Sequence, residues 1–248
     1  MSALRIEREA EVLRIAMAKP ERRNAFDAAL IDELAAAFAD VGDARAIVLS
    51  GDGPSFSAGA DVEWMRSSVD LSYDQNVADA LRLRAMLDAI DSCPAPVIGR
   101  VQGHALGGGC GLVACCDIVV AEPTAQFAFS EVKLGIVPAV ISPFALAKIG
   151  TGAARRYFVT GERFSAEEAL RIGLIHAVTD DLDGAVARTV SELLSAGPKA
   201  ARAAKELARA PLSAEETAAR IASHRTSPEG QEGLRAFLEK RSATWRAD

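Results

Sequence analysis

Polar and apolar positions alternate imperfectly through Leu4–Met17 and predict a hairpin: Leu4-Arg5-Ile6-Glu7, a polar turn, then Val12-Leu13-Arg14-Ile15. Pro20 closes it. The period then lengthens: Leu30, Ile31, Leu34 and Phe38 recur at helical spacing behind Asp27, a residue able to cap the helix by accepting from its free N–H groups. Ala46-Ile47-Val48-Leu49-Ser50 is a short apolar run ended by Gly51 and predicts a buried strand; Gly51-Asp52-Gly53-Pro54-Ser55 predicts a loop. A second helix is predicted over roughly Val77 to Ile90, with Leu83, Leu87 and Ile90 on one face and Pro94 and Pro96 ending it. Val97-Ile98 begins another strand. Gly107-Gly108-Gly109 reads as a loop and Leu112 to Cys115 as a buried helical turn. Ile118-Val119-Val120 and Gln126-Phe127-Ala128-Phe129 read as strands. Beyond Ser142 the pattern is mostly helical, with breaks at Gly150-Thr151-Gly152, Gly173, Pro198, Pro211 and Pro228.

Strands alternating with helices, then a helical tail, define an α/β class with helices packed outside sheets. No repeat shows in the letters. A boundary near Gly197-Pro198 divides a core (1–197) from a C-terminal helical region (198–248) rich in Ala, Arg and Glu, which by itself reads as solvated amphipathic helices. The 248 residues, half hydrophobic and a quarter charged, are enough for a full core. With 28 basic and 34 acidic side chains the net charge is −6, which argues against nucleic acid as the main partner but permits a local basic patch for a phosphorylated ligand. Arg5, Glu7, Arg8 and Glu9 break the opening, so no secretory signal is expected there. The most apolar stretch, Ala95 to Ala121, carries Arg100, His104 and several glycines, so no membrane span is expected either. Cys93, Cys110, Cys115 and Cys116 have no C-x-x-C spacing and the chain has three histidines. The expectation is buried thiols in a reducing cytoplasm, and no metal site.

Two glycine-bearing loops each follow a predicted strand: Ser55-Phe56-Ser57-Ala58-Gly59-Ala60-Asp61-Val62 and Gly103-His104-Ala105-Leu106-Gly107-Gly108-Gly109-Cys110-Gly111. Small side chains let a ligand approach the backbone, and free N–H groups at a helix start hold negative charge. Two such loops aimed at one oxygen would form an oxyanion hole. Each loop alone is also explained by a tight turn or close helix packing. Neither carries a dinucleotide or P-loop pattern.

In order and spacing, Phe56 to Val62, Gly107-Gly108-Gly109 with Asp117, Ala125-Gln126-Phe127, Glu131 and Leu134-Gly135-Ile136-Val137-Pro138 resemble the crotonase (enoyl-CoA hydratase/isomerase) superfamily, and Pro20-Glu21-Arg22-Arg23-Asn24-Ala25 resembles its early acyl-CoA-binding segment. Within it, Glu131 to Phe144 together with Ser227-Pro228-Glu229-Gly230-Gln231-Glu232-Gly233 resemble bacterial methylglutaconyl-CoA and isohexenylglutaconyl-CoA hydratases. The resemblance implies a crotonase-type spiral of strand-strand-helix turns with a C-terminal helical trimerisation region, and a homotrimer or dimer of trimers. It implies an acyl-CoA substrate and no separate cofactor, since coenzyme A is part of that substrate.

The resemblance also implies site residues. Ala60 and Gly108 match the two backbone donors to the thioester oxygen. Ala58, Ala60, Asp61 and Val62 fall where the family's backbone meets the adenine of coenzyme A. Arg22, Arg23 and Lys240 are candidates for its phosphates, with Ala25 in the same early segment. Glu131 matches one of the two hydratase glutamates, and Phe127, Phe129 and Ile136 suggest an apolar setting that raises its pKa. The other glutamate falls at Gly111, which cannot ionise. One carboxyl must then take a proton from water and return it to the α-carbon.

Asp61 reads as orienting the first loop, Asp117 as a turn or cap, and His104 as structural. Arg100 is a candidate partner for a substrate carboxylate or a surface residue. Trp64 and Met65 line an acyl pocket or pack as core. The leading expectation is enoyl-CoA hydration, on branched or glutaconyl-type chains. Loss of the second glutamate leaves a double-bond isomerase, a thioester hydrolase or a non-catalytic acyl-CoA- or RNA-binding relative as alternatives.

Overall fold

The opening alternation forms the expected hairpin, β1 (Leu4–Glu9) against β2 (Val12–Met17), antiparallel with Leu4 opposite Met17. The computed structural model describes residues 2–209 and 211–246. After the hairpin come α1 (Ala28–Ala39), β3 (Ala46–Gly51), α2 (Val62–Ser68), α3 (Tyr73–Asp91), β4 (Val97–Val101), β5 (His104–Leu106) and α4 (Gly108–Cys115). They are followed by β6 (Ile118–Ala121), β7 (Gln126–Ala128), α5 (Ser142–Thr160), β8 (Phe164–Ser165), α6 (Ala166–Arg171) and β9 (Ala177–Val178). The helices α7 (Leu182–Ser195), α8 (Pro198–Leu207), α9 (Ala214–Thr226) and α10 (Pro228–Leu238) complete the order.

One sheet runs β1-β2-β3-β4-β6-β9, parallel from β2 onward; a smaller one runs β5-β7-β8. The spiral lies in how the chain visits them. β4 enters the large sheet, β5 the small one, and α4 follows; β6 and β7 repeat the move before α5. β3 makes the same move, with Ser57 bridging Ala105 at the edge of the small sheet before α2 and α3. The repeat is therefore spatial.

The runs in β3, β4 and β6 are unbroken because both sheet faces are buried. Ile47, Leu49, Val97 and Val119 face Leu30, Ile31, Leu34, Leu87 and Ile90 of α1 and α3, whereas Val48, Ile98 and Val120 face Leu182, Val186 and Val190 of α7. Asp27 caps α1 by accepting from Leu30 N–H, as expected. α3 begins earlier than expected, at Tyr73, because Ser72 and Gln75 form a reciprocal capping box. Gly108 and Gly109 belong to the first turn of α4 and not to a loop. At Gly109 a Cβ would lie 2.6 Å from Ser57 O, so only glycine lets this helix pack so close.

The first part of the tail corrects the solvated reading. α8 is docked on the core by Arg202 to Ala44 O, by Lys205 to Ala95 O and Asp117, and by Arg209 to Asp91. Arg45, buried under it, donates to Leu194 O, Ala196 O and Trp245 O and pairs with Glu11. Among the described residues no helix is long and apolar enough to cross a membrane. All four cysteines are buried and free.

Candidate active site

The first loop is held by the segment that follows the hairpin. Asn24 is fully buried; its amide donates to Asp52 O and Ser55 O and accepts from Lys19 N–H. Ser57 Oγ donates to Asn24 O. Ala58 N–H donates to Arg23 O, Phe26 N–H to Gly59 O at 2.6 Å, and Asp61 N–H to Phe26 O. Residues 23–26 and 58–61 thus form one ribbon, in which Ala60 N–H has no acceptor among the described residues. Gly59 sits at φ +86°, where a Cβ would also strike Leu106 O at 2.6 Å.

Leu106 N–H donates to Ser57 O and Ser57 N–H to His104 O, which lashes this ribbon to the second loop. Gly107 turns the chain at φ +51° and donates to Ala128 O. Gly108 then opens α4. Its N–H also has no acceptor among the described residues, and it stands at the positive end of a helix. A Cβ on Gly59 would lie 3.6 Å from Gly108 N, so the two donor loops are in contact.

Ala58, Ala60, Gly108 and Glu131 all line one cavity of about 390 Å³. Glu131 begins a 3₁₀ turn after β7, and its Oε1 would lie 3.4 Å from a Cβ on Gly107. Its Oε2 is buried with no hydrogen-bond partner. Burial pushes its pKa up, opposed only by its own backbone N–H. An ionised carboxylate with an orphaned oxygen is a strong proton acceptor beside a pair of unused N–H donors.

The space beside Gly111, where the resemblance places a second glutamate, is occupied. A Cβ on Gly111 would lie 2.5 Å from Ile141 Cγ2 and 3.7 Å from Leu87 Cδ2. Ile141 lines the cavity there in place of a carboxyl. Gly111→Glu is expected to destabilise the fold by about 1–3 kcal/mol through overpacking. Adding Ile141→Ala to that variant recovers most of the loss. Thermal melting of the single and double variants checks both outcomes.

Trp64 and Met65 line the cavity from α2, and Trp64 also packs against the core. Asp61 caps α2 by accepting from Glu63 and Trp64 N–H, and Arg22 donates to its Oδ2 at 3.1 Å. Burial alone would raise its pKa, but these hydrogen bonds outweigh burial and hold it below the ordinary value. Arg22 and Arg23 are exposed on the ribbon beside the buried Ala25, while Val62 is exposed at the start of α2. Lys240 does not line the cavity; its N–H closes α10 on Phe237 O.

His104 contacts Ser55 Oγ at 3.4 Å, and Asp117 accepts from Val97 N–H at 2.7 Å, both structural placements. Arg100 is paired with Asp183 at 2.6 Å and does not line the cavity, so it is not poised for a substrate carboxylate. Residues of α3 that line the cavity, Asn76, Asp79, Ala80 and Leu83, escaped the sequence reading except for Leu83. Their helical spacing was the available signal.

The family profile described as "Enoyl-CoA hydratase/isomerase" matches residues 7–248. The protein named "Crotonyl-CoA hydratase" of Syntrophomonas wolfei is 31% identical over 253 residues, covering 97% of this chain and 96% of its own. A crystal structure of an enoyl-CoA hydratase from Shewanella pealeana superposes with a TM-score of 0.93 at 40% identity, covering 98% of this chain and 96% of that one. Pseudomonas aeruginosa AtuE superposes with a TM-score of 0.93 at 34% identity, over 98% and 99% of the two chains.

Proposed function

The chain belongs to the enoyl-CoA hydratase/isomerase family and is an enzyme of the hydro-lyase type, and from that premise we propose that it adds water to enoyl-CoA thioesters with a single carboxyl, Glu131. The thioester oxygen accepts hydrogen bonds from Ala60 N–H and Gly108 N–H. Glu131 takes a proton from water as the water oxygen bonds to the β-carbon. The double-bond electrons move through the α-carbon onto the thioester oxygen, where the two N–H groups stabilise the enolate. The enolate then collapses, and Glu131 returns the proton to the α-carbon. Charge and atoms balance, and the carboxylate is restored.

The observation that carries this reading is the buried, unpartnered Oε2 of Glu131 in the same cavity as two unused backbone donors. Coenzyme A is part of the substrate, and the proposal routes no step through a further cofactor. Arg22 and Arg23 meet its phosphates, with Ala25, Ala58, Asp61 and Val62 forming the neighbouring backbone. Lys240, outside this cavity, is kept as a further candidate for those phosphates.

Incubation of crotonyl-CoA in H₂¹⁸O tests it. Hydration puts the label on the β-carbon hydroxyl. Label in a released acid means hydrolysis, and a shifted double bond without label means isomerisation; either result overturns the proposal. Isomerisation is the second reading, because one carboxyl with an apolar Ile141 opposite also suits proton transfer between carbons.

We also propose the homotrimer or dimer of trimers, in a reducing cytoplasm. Phe237 and Leu238 are 81% and 77% exposed at the end of α10, apolar surface that suits a subunit contact.

A further inference from the structure

Resting on the acyl-CoA reading above, we propose that Asp79 determines specificity by excluding acyl chains that carry a second negative charge. The ionisable side chains lining the cavity, among the described residues, are Glu131 and Asp79; no Lys, Arg or His is among them. Asp79 shares a face of α3 with Asn76, Ala80 and Leu83, and further along the same helix Leu87 packs at Gly111, beside the reacting end. At 1.5 Å per residue Asp79 stands about 12 Å along the helix axis from Leu87, at the far end of the acyl wall.

Ser68 and Asn76 are the polar neighbours at that end. Arg82, on the next turn of α3, is committed to Asp32 through both Nε and Nη2, and Arg84 to Asp88. Asp79 pairs with no cation among the described residues.

A neutral chain entering between Met65, Leu83 and Ile136 meets hydrocarbon along most of its length. A chain ending in a carboxylate brings its charge against Asp79, and Arg82, the cation near enough to feel Asp79, lies outside the cavity and is already held by Asp32. Like charges brought together at a partly desolvated site repel more strongly than in open water, because less water lies between them to screen them. The repulsive element, more than any attractive one, sets the discrimination. Arg100, held by Asp183 outside the cavity, gives such a chain no partner there.

The test is binding of two unreactive saturated esters, decanoyl-CoA and its ω-carboxy counterpart decanedioyl-CoA, whose ten-carbon chains are long enough to span about 12 Å to Asp79, measured by calorimetry on the full chain and its Asp79→Asn and Asp79→Glu variants. The wild type is expected to bind decanoyl-CoA at least about tenfold more tightly, and Asp79→Asn to narrow that ratio at least about fivefold. Asp79→Glu keeps the wild-type preference, which separates charge from shape. Should Asp79→Asn not fold, Asp79→Ser carries the same expectation. Equal wild-type affinity for the two esters, or an unchanged ratio in the neutral variants, overturns the proposal. Binding of neither ester overturns it together with the acyl-CoA reading. Failure of crotonyl-CoA to take up ¹⁸O while the ratio still shifts sinks hydration alone.

Discussion

Glu131→Gln lowers hydration of crotonyl-CoA by an expected factor of about 10²–10⁴ while butyryl-CoA still binds. The amide has nearly the shape of the carboxyl, so the cavity and the two backbone donors persist. It cannot accept the proton of the attacking water. The residual rate is what the polarised thioester alone supports. Turnover and butyryl-CoA affinity measured on the same preparation check this, and a variant as fast as wild type removes Glu131 from the mechanism.

The same substitution has a pH signature. Burial raises the carboxyl above its ordinary value of 4.5, so wild-type activity has an acid limb above that value, and activity climbs as Glu131 loses its proton. The Gln variant has no such limb. Stability runs the other way. Below 4.5 the folded and unfolded chains both hold this proton and the residue contributes nothing. As pH rises past 4.5 the unfolded chain releases it first, so the fold loses stability until the raised folded pKa is passed, and the loss is constant thereafter. Glu131→Gln therefore melts higher than wild type at neutral pH, with a gap that closes on acidification.

Arg45→Ala is the substitution expected to cost most in stability, about 3 kcal/mol or more, by stranding Leu194 O, Ala196 O and Trp245 O at once. For a chain of this length that corresponds to a melting temperature lower by roughly 6–12 °C. Glu11, its charged partner, is exposed and rehydrates, so the loss comes from the carbonyls. Arg45→Lys recovers little, because a single ammonium cannot span acceptors on two sides of the tail. Calorimetric melts of the three proteins decide it. An unchanged melting temperature in Arg45→Ala would mean that these carbonyls find water freely.

Elements with a long period or two buried faces were legible from the letters. α1 announced itself through Asp27 and four apolar residues at helical spacing, and β3 through four consecutive buried positions. α2 and β5, with seven and three residues, are too short to show a period. The true start of α3 was written in Ser72 and Gln75, a reciprocal cap visible in sequence once sought. Gly108 and Gly109 read as loop because glycine disfavours helix, yet the close approach of the Phe26 ring at 108 and of Ser57 O at 109 demands it there. The meeting of Ala60, Gly108 and Glu131 depends on main-chain bonds between distant segments. Composition and spacing could not supply it, and it came through family resemblance. Asp79 stayed hidden because an acid on a helix reads as solvated unless the opposite wall is known.

The two donors at residues 60 and 108 belong to the polypeptide itself. Point substitution cannot delete such a group except by introducing proline; it can only crowd it, as a side chain at 108 would against Phe26. On the proposed mechanism, the device that steadies the developing charge is therefore shielded from most genetic change. Residues 79, 111 and 141, whose roles reside in side-chain bulk or charge, remain open to it. Descendants of this chain can trade one substrate or proton route for another without rebuilding the part that makes the chemistry feasible.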